Sequence, residues 1–257
     1  MDIHILASGS KGNATVIRSG DIRLMIDAGI SFPKIKQRMQ QHKEELTQVK
    51  TLFLTHEHGD HIAGLKGLLK QGFIEEVFLT KGTYHALPAD LIPLFPPRVH
   101  FIQNEVPVRW NGFVVTPFAV SHDAAEPVAF IFEENGKKVV HLTDTGYVDQ
   151  SYHALLSDAD LYLVEANHDP VKLMHSPRPF PLKKRILGER GHLSNEDAAW
   201  LVNRLVGKRK SVWIVTHISE DCNTALDIEE AIVRMFDDPT KVEVYYTTQD
   251  GLPVITL

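Results

Sequence analysis

Three histidines and an aspartate stand within six positions of one another, directly after a short apolar run. The run is TLFLT at residues 51–55, and the polar group is HEHGDH at residues 56–61. The apolar run predicts a buried strand, and the polar group is expected in the loop between this strand and a helix. Because unpaired polar clusters at a buried strand end are costly, we expect these side chains to serve a ligand. The fold must therefore deliver imidazoles and a carboxylate to the end of a buried strand.

This cluster has the composition of a metal site. His56 and His58 can point in one direction while Asp60 and His61 turn elsewhere, so the loop could supply two adjacent cations rather than one. Imidazole and carboxylate ligands suit zinc, manganese or iron, and cellular supply often decides which metal is bound. Cys222 is the only cysteine, which excludes an internal disulfide framework and a multi-cysteine zinc site.

Three further candidate ligands follow apolar extended stretches elsewhere in the chain. They are His122, Asp144 and His217. In layered α/β folds the loops at strand ends share one edge of the sheet, where ligands gather. A carboxylate such as Asp144 can bridge two cations about 3.5–4 Å apart, an arrangement that activates water and holds the attacking and leaving oxygens. A purely structural metal is disfavoured because structural zinc is usually four-coordinate and rich in thiolates.

Length and charge restrict the class of protein further. The chain has 257 residues and a formal net charge of −6 at pH 7, and its length predicts a single domain over residues 1–257. The acidic balance excludes a uniformly basic surface, so any contact with nucleic acid requires a local patch. The first ten residues lack the pattern of a secretory signal, and no apolar stretch approaches the roughly 20 residues of a membrane span. We expect a soluble cytoplasmic protein with no membrane partner.

The order of the predicted elements indicates a mixed α/β fold built in layers, because strands and hairpins come first and strands alternate with helices later. Helices are predicted from the cap Ser31 to His42, over residues 62–70, from near Ser194 onward, and over 228–236. Strands are predicted over residues 3–7, 14–18, 23–27, 51–55, 106–109, 113–118, 128–132, 138–143, 161–165, 212–216 and 242–246.

Together with Asp27 in the stretch IDAG at residues 26–29, the candidate ligands resemble, in order, the five motifs of the metallo-β-lactamase fold superfamily. The resemblance implies a four-layer αββα sandwich with the site at one edge of its two sheets. It also implies that Asp27 supports the histidine loop. The implied ligands of one metal are His56, His58 and His122. Those of the other metal are Asp60, His61 and His217, with Asp144 bridging the two.

Two more positions resemble the phosphodiesterase branch of this superfamily, which includes the tRNA 3′-processing nucleases. Glu165 stands in LVEANH at residues 163–168, and His192 stands in GHLSNEDAA at residues 191–199. The resemblance implies that His192 lies beside the metals and that Glu165 orients it. Phosphodiester cleavage needs a nucleophile and neutralisation of phosphate charge, which metals supply. It also needs a proton for the leaving alkoxide, which a carboxylate-paired imidazole can supply. The predicted catalytic residues are therefore His192, Glu165 and Asp60.

Longer stretches are similar to the WalJ/VicX/YycJ group of the superfamily. They are LASGS at residues 6–10, SHDAAEP at 121–127, TDTGY at 143–147 and EANHD at 165–169. This resemblance implies a metal-dependent nuclease, a 5′-to-3′ exonuclease with DNA favoured over RNA as substrate. The segment SEDCN at residues 219–223 departs from the sequence usual in this group, and its Cys222 has no assigned role.

A basic strip adjoins Glu165 and His192 in sequence and could hold nucleic acid. Residues 170–191 contain six lysines or arginines and one acid. The strip could follow a phosphate backbone, with Phe180 stacked on a base, or it could be a solvated loop and helix face. The strip residues predicted to bind substrate are Arg178, Lys183, Lys184 and Arg185.

The glycine-rich turn near the start of the chain offers further candidate contacts to phosphate. Ser8, Ser10 and Asn13 carry hydroxyl and amide groups on a turn whose backbone N–H groups can also receive an anion. His168 could either contact phosphate or organise the loop that follows Glu165.

Two other functions remain open from the sequence. One is hydrolysis of a small thioester, lactone or cyclic phosphodiester on the same fold. The pair of Glu165 and His192 argues against a thioester. The other is a non-catalytic regulatory module stabilised by metal, against which the presence of all seven candidate ligands weighs. Oligomeric state is not predicted.

Overall fold

The computed structural model describes all 257 residues, Met1–Leu257. Its strands are β1 (Asp2–Ala7), β2 (Ala14–Ser19), β3 (Ile22–Ile26), β4 (Thr51–Phe53), β5 (Glu76–Leu79), β6 (Arg98–Phe101), β7 (Val108–Trp110), β8 (Phe113–Ala119), β9 (Val128–Glu134), β10 (Lys137–Leu142), β11 (Leu161–Glu165), β12 (Ser211–Thr216), β13 (Val242–Tyr246) and β14 (Leu252–Thr256). Its α-helices are α1 (Phe32–Gln41), α2 (Gly59–Ile62), α3 (Leu65–Leu69), α4 (Lys81–Ala86), α5 (His153–Leu156), α6 (Pro170–His175), α7 (Phe180–Ile186), α8 (Asn195–Leu205) and α9 (Ala225–Met235). No helix is both long enough and apolar enough to span a membrane.

The strands form two mixed sheets of seven strands each. One sheet has the order β14-β1-β2-β3-β4-β5-β6, and the other has the order β13-β12-β11-β10-β9-β8-β7. In the first sheet β3 to β6 run parallel, and in the second β10 to β13 run parallel. The carboxyl ends of these parallel strands are the positions where ligands gather in layered α/β folds.

Alternation of buried side chains along the strands produces the layers. In β4, Phe53 packs between the sheets in a cluster that includes Phe130, whereas Leu52 packs toward Ile35 of α1. In β11, Leu163 points into the same inter-sheet cluster, and its neighbours in sequence pack toward α8 and α9. Burial of a side chain such as Phe53 contributes about 1.5–3 kcal/mol of stability. Both faces of each sheet are therefore covered, which confirms the expected four-layer αββα sandwich.

The helix predicted over residues 62–70 is two short helices instead. The first, α2, begins at Gly59 inside the HEHGDH group, and α3 begins after Gly64. The N–H of Gly64 donates to the carbonyl of Ala28, and a Cβ at Gly64 would lie 2.0 Å from the carbonyl oxygen of Ile30. The chain therefore bends at Gly64 to stay in contact with the loop that follows β3.

Three strands, β5, β6 and β14, were not predicted, since β5 and β6 have only four residues each and β14 contains a proline. The exposed edge strand β6 reads RVHF, and β14 is mostly exposed. The antiparallel pairing of β14 with β1 joins the two ends of the chain. It also makes β1 an inner strand, and residues 3–7 are all buried because both faces of the sheet are covered.

Candidate metal centre

The predicted ligands lie at strand ends along one edge of the two sheets. His56 follows β4, Asp144 follows β10 and His217 follows β12. A cavity of about 390 Å³ opens at this edge. Its wall contains five of the seven predicted ligands, namely His58, Asp60, His122, Asp144 and His217. His56 and His61 are buried.

Backbone turns of unusual conformation bring three of the site residues out of their strands. Asp27, Asp144 and His217 have φ angles of 57°, 59° and 51°. This left-handed region costs a residue other than glycine roughly 1–2 kcal/mol. Such strain persists where the surrounding structure fixes it, and it concentrates at functional sites.

The first group of candidate ligands consists of three imidazoles. His58 Nδ1 lies 3.1 Å from His56 Nε2 and 3.2 Å from His122 Nε2. Two nitrogens bound to one tetrahedral zinc at about 2.0–2.1 Å would lie about 3.3 Å apart, so the three nitrogens fit a common cation. Burial holds the pKa of His56 well below its usual range and also lowers that of His122. These two rings are therefore neutral, which metal binding requires.

The second group contains two carboxylates and two imidazoles, Asp60, His61, Asp144 and His217. His61 Nε2 lies 3.2 Å from Asp144 Oδ2, and His217 Nε2 lies 3.6 Å from Asp60 Oδ2. Apart from these charge contacts, both Asp144 Oδ2 and His217 Nε2 are buried without a hydrogen-bond partner, an arrangement that is rare unless a ligand completes it. The His56 and His61 ring centres are 4.1 Å apart, so the two groups adjoin.

Charge in the second group is balanced by protons on its imidazoles. Burial opposes a charge on His61, but Asp144 and Asp27 outweigh it and raise the pKa of His61 well above its usual range. In the same way Asp144 and Asp60 overcome burial and raise the pKa of His217 to about 10. A cation bound here would displace these protons. The donor set therefore fits a divalent metal. Asp144 belongs to this group, and its bridging to the first group stays a prediction.

The outer nitrogens of the rings are held by the surrounding structure. Asp27 Oδ2 lies 2.7 Å from His61 Nδ1, and Asp27 Oδ1 accepts from the N–H of Thr55 at 2.9 Å. His122 Nδ1 lies 3.2 Å from the carbonyl oxygen of Gly191. Such partners fix the tautomer and orientation of a ring, which leaves the other nitrogen to face a ligand.

The glycine of the IDAG stretch is required by close packing. A Cβ at Gly29 would lie 1.7 Å from the carbonyl oxygen of Asp60. Only glycine therefore lets the loop after β3 contact the histidine loop, so this short stretch supplies both the supporting carboxylate of Asp27 and the space that the contact needs.

Glu165 is fully buried and holds two imidazoles at once. Its Oε2 lies 3.0 Å from His192 Nδ1 and 3.2 Å from His217 Nδ1. Its Oε1 accepts from the N–H of Thr145 at 2.8 Å. Burial would raise the pKa of Glu165, but His192 and His217 outweigh burial and lower it to about 2. The carboxylate is therefore ionised. Because Glu165 engages Nδ1 of His192, the Nε2 of that ring is the nitrogen free to meet a ligand in the cavity.

Some of the residues predicted to contact substrate line the cavity, and others do not. Ser10, Arg178 and Arg185 line the cavity. Ser8 does not, because its buried hydroxyl accepts from the N–H of His217 at 2.8 Å. Asn13 is also buried, with its Nδ2 3.1 Å from His61 Nε2. Both side chains support the loops that carry candidate ligands, and contact between either of them and phosphate stays a prediction.

His168 is likewise separated from the cavity. Its ring is buried, neither ring nitrogen has a hydrogen-bond partner, and burial lowers its pKa to about 4. Its backbone carbonyl accepts from the N–H of Asn195 at 3.0 Å. A contact between His168 and phosphate is therefore not supported, and the alternative expectation, that it organises the loop after β11, agrees with its position.

The basic strip spans α6, α7 and the turns beside them, and three of its six cationic side chains already have a carboxylate partner. Arg185 makes a two-point ion pair with Asp123, and Arg178 Nη2 lies 3.2 Å from Asp221 Oδ2. Lys183 Nζ donates to the carbonyl of Met174 at 2.7 Å. By contrast, Lys184 is exposed and has no carboxylate partner. The strip is thus less positive than its sequence indicates.

Asn167 was not predicted as a site residue, although it lines the cavity. Its Nδ2 donates to the carbonyl of His217 at 2.8 Å and lies 3.2 Å from His217 Nδ1. The sequence did contain a signal, since Glu165 and Asn167 are two positions apart in an extended stretch and so share a side.

Comparison with known protein families gives one clear match. A model of the family described as "Beta-lactamase superfamily domain" matches residues 22–218. These limits include every predicted metal ligand and the pair of Glu165 and His192.

Comparison with individual proteins identifies relatives over most of the chain. Exodeoxyribonuclease YycJ of Bacillus anthracis is 34% identical over 226 residues, which are 87% of this chain and 85% of that protein. Exodeoxyribonuclease WalJ of Streptococcus pneumoniae is 34% identical over 221 residues, 85% of this chain and 82% of that one. Among solved structures, the metallo-β-lactamase fold protein YhfI of Bacillus subtilis has a TM-score of 0.75 at 16% identity, covering 99% of this chain and 98% of its own. That last likeness concerns the fold alone.

Proposed function

This chain belongs to the β-lactamase superfamily, and we propose that it is a dinuclear metal-dependent phosphodiesterase that degrades DNA from the 5′ end. The observation that carries the proposal is the pair of Glu165 and His192, which stands in the same cavity as two groups of side chains that fit cations. The two relatives named as exodeoxyribonucleases support DNA as the substrate.

The proposed metals are zinc or manganese, with iron also compatible with these ligands. When bound, two divalent cations lower the pKa of water and neutralise the charge of a phosphate. The residues that would hold one cation are His56, His58 and His122, and those that would hold the other are Asp60, His61, Asp144 and His217.

The protein's own groups would manage the protons of the reaction. His192 donates a proton from Nε2 to the leaving alkoxide, since Nδ1 is held by Glu165. The carboxylate of Glu165 holds Nδ1 and so fixes the direction of that ring. Asp60 lines the cavity and accepts a hydrogen bond from the attacking water.

The size of the cavity supports attack at a chain end. Its volume is about 390 Å³, within the range of roughly 300–1,000 Å³ typical of clefts for small ligands, and its wall includes Leu182 and Ile186 from α7. A cleft of this size can hold one nucleotide at the end of a strand. Arg178 and Arg185 line the same cavity and can exchange their acidic partners for phosphate.

A substrate panel tests the proposal. The protein would be stripped of metal, reloaded with Mn²⁺ or Zn²⁺, and offered bis-p-nitrophenyl phosphate, a cyclic phosphodiester, a thioester, a lactone, RNA, and single- and double-stranded DNA labelled at the 5′ or 3′ end. We expect hydrolysis of phosphodiesters, with the 5′ label released first. Preference for the thioester, lactone or cyclic ester would overturn the proposal, and no turnover with any metal would indicate a non-catalytic module.

A further inference from the structure

A second groove lies beside the loops that carry His122 and Asp144. Its volume is about 360 Å³, which falls in the range of roughly 300–1,000 Å³ typical of clefts for small ligands. Its walls include Ser121, Tyr147 and Tyr152. The mechanism above uses none of these three residues, although Tyr147 ends the TDTGY stretch that also contains Asp144.

The groove and the catalytic cavity share one wall. The N–H of Gly146 donates to the carbonyl of Ser121 at 2.9 Å, and the N–H of Ser121 donates to Thr145 Oγ1 at 3.2 Å. The same hydroxyl donates to the carbonyl of Tyr147 at 2.6 Å. These bonds join the loop after β8 to the loop after β10. The pair of loops therefore contributes His122 and Asp144 to the cavity, and Ser121 and Tyr147 to the groove.

The two tyrosines differ in how firmly they are held. The ring of Tyr152 packs on Phe118 with centres 5.6 Å apart, and its hydroxyl accepts from Asn104 Nδ2 at 3.1 Å. Tyr147 is 47% exposed, while its backbone is fixed by Thr145. Tyr152 is thus a rigid wall, and Tyr147 offers a flat aromatic surface at a fixed point of the loop. An exposed ring in such a position is suited to stacking on another planar group.

The charge of the groove selects against phosphate. No lysine or arginine lines it, and its one ionisable acid is Asp149, which accepts from the N–H of Ser151 at 2.8 Å. The guanidinium of Arg190 contacts the neighbouring loop through the carbonyl of His122 at 3.2 Å. A nucleic acid strand at this place would therefore keep its phosphates toward Arg190 and the cavity, and would turn an uncharged base into the groove.

We propose that this groove binds a nucleobase of the substrate strand, adjacent to the nucleotide whose phosphodiester is cleaved, by stacking on Tyr147. The proposal rests on the proposed nuclease function and adds a subsite to it. Stacking is tolerant of sequence because every base has a flat face. The groove thus gives the enzyme affinity for a polynucleotide without selecting a particular base.

Substitution of Tyr147 tests the subsite. In Tyr147→Ala we expect the KM for single-stranded DNA to rise about 5–150-fold, the range for loss of one base stack, while the same preparation turns over bis-p-nitrophenyl phosphate at the native rate. Tyr147→Phe keeps the ring and should stay within about twofold of the native KM. Val233→Ala is a control on the surface of α9, where Val233 is 76% exposed, and should leave the KM unchanged.

Oligonucleotides that lack one base at successive positions identify the stacked nucleotide. At one position near the cleaved bond, we expect an abasic residue to lower kcat/KM for the native protein. The same abasic residue should cause no further loss of kcat/KM in Tyr147→Ala, because the two changes remove the same interaction. An unaltered KM in Tyr147→Ala, or additive losses at every position, would overturn the subsite while leaving the nuclease function intact. A protein that cleaves no phosphodiester would instead overturn the proposed function, and the subsite with it.

Discussion

The metal centre and the basic strip both contribute to the wall of one cavity, yet they are built in different ways. In the centre, polar groups such as Asp144 and Glu165 are buried, and the rings they contact are held on their outer nitrogens. In the basic strip, Arg178 and Arg185 pair with carboxylates that are partly or mostly exposed. Exposed ion pairs contribute about 0–1 kcal/mol, whereas removing one partner from a buried charge pair costs about 3–5 kcal/mol. Substitutions in the metal centre should therefore reduce activity far more than those in the basic strip.

Asp144→Asn should have the largest effect. Asparagine tolerates the left-handed backbone at this position, so the fold should survive while a negative charge is lost between two imidazoles. We expect loss of at least one equivalent of bound metal and DNA turnover reduced by more than about 10⁴-fold, beyond the usual cost of losing an acid–base group. Elemental analysis and a nuclease assay would measure both.

Asp158→Asn is a matched control for this change, since Asp158 is an exposed aspartate with nearly the same φ, 58°. It should retain metal and activity. If Asp144→Asn kept its full metal content and turnover, the centre would not be the buried charged assembly described here.

His192→Ala should have the next largest effect, because it removes the proposed proton donor without removing a proposed ligand. We expect turnover of DNA to fall roughly 10²–10⁴-fold at unchanged metal content. His153→Ala, a change of a histidine outside the site, should leave turnover unaltered. Loss of metal from His192→Ala would assign the ring to coordination instead, because Asp144, Glu165, His192 and His217 also lie within 4.8 Å of one another.

The pH dependence of metal binding distinguishes the two groups of ligands. In the metal-free protein the pKa of His217 is raised from 6.5 to about 10, so its proton stabilises the fold below pH 6.5, and this stabilisation is lost as pH rises through about 10. A cation that displaces the proton should bind about tenfold more tightly per pH unit over that window, for each proton released. The Tm difference between loaded and metal-free protein should therefore widen with pH, as thermal unfolding would record. A constant difference would mean that these rings are not protonated in the metal-free state.

The smallest effect is expected from a substitution in the basic strip. Lys184→Ala removes a charge without a carboxylate partner and should weaken DNA binding a few-fold, while reducing the slope of log affinity against log salt by about 1. Lys183→Ala is the comparison, because its ammonium already donates to the carbonyl of Met174. Binding titrations at several salt concentrations would measure both variants. Equal slopes for Lys184→Ala and the native protein would remove α7 from the DNA-binding surface.

The parts of the molecule that could be predicted from sequence are those governed by nearby residues. The NG pairs at 111–112 and 135–136 form the turns between β7 and β8 and between β9 and β10, and this pair is a strong local signal for such a turn. Ser194 caps α8 by accepting from the N–H of Asp197 at 3.2 Å, as predicted. The predicted ligands converge because they stand after strands that end at the same edge, or in α2 shortly after β4.

The parts that could not be predicted depend on residues far apart in the chain. The hydroxyl of Ser8 supports His217, which is 209 positions away, and this contact exists only after the two sheets have packed together. The neutralisation of Arg185 likewise requires Asp123, which lies 62 positions away in sequence. Local pattern describes which side chains a strand presents, but it does not describe which partners the closed fold brings to them.

Titration of metal into the stripped protein, with hydrolysis of 5′-labelled DNA followed at each step, tests the central claim most directly. The account predicts no hydrolysis without metal, activity that rises with loading, and a plateau at two equivalents of cation per chain with mononucleotides as the first product. A plateau at one equivalent would contradict the dinuclear centre, and DNA left intact at full loading would contradict the proposed nuclease.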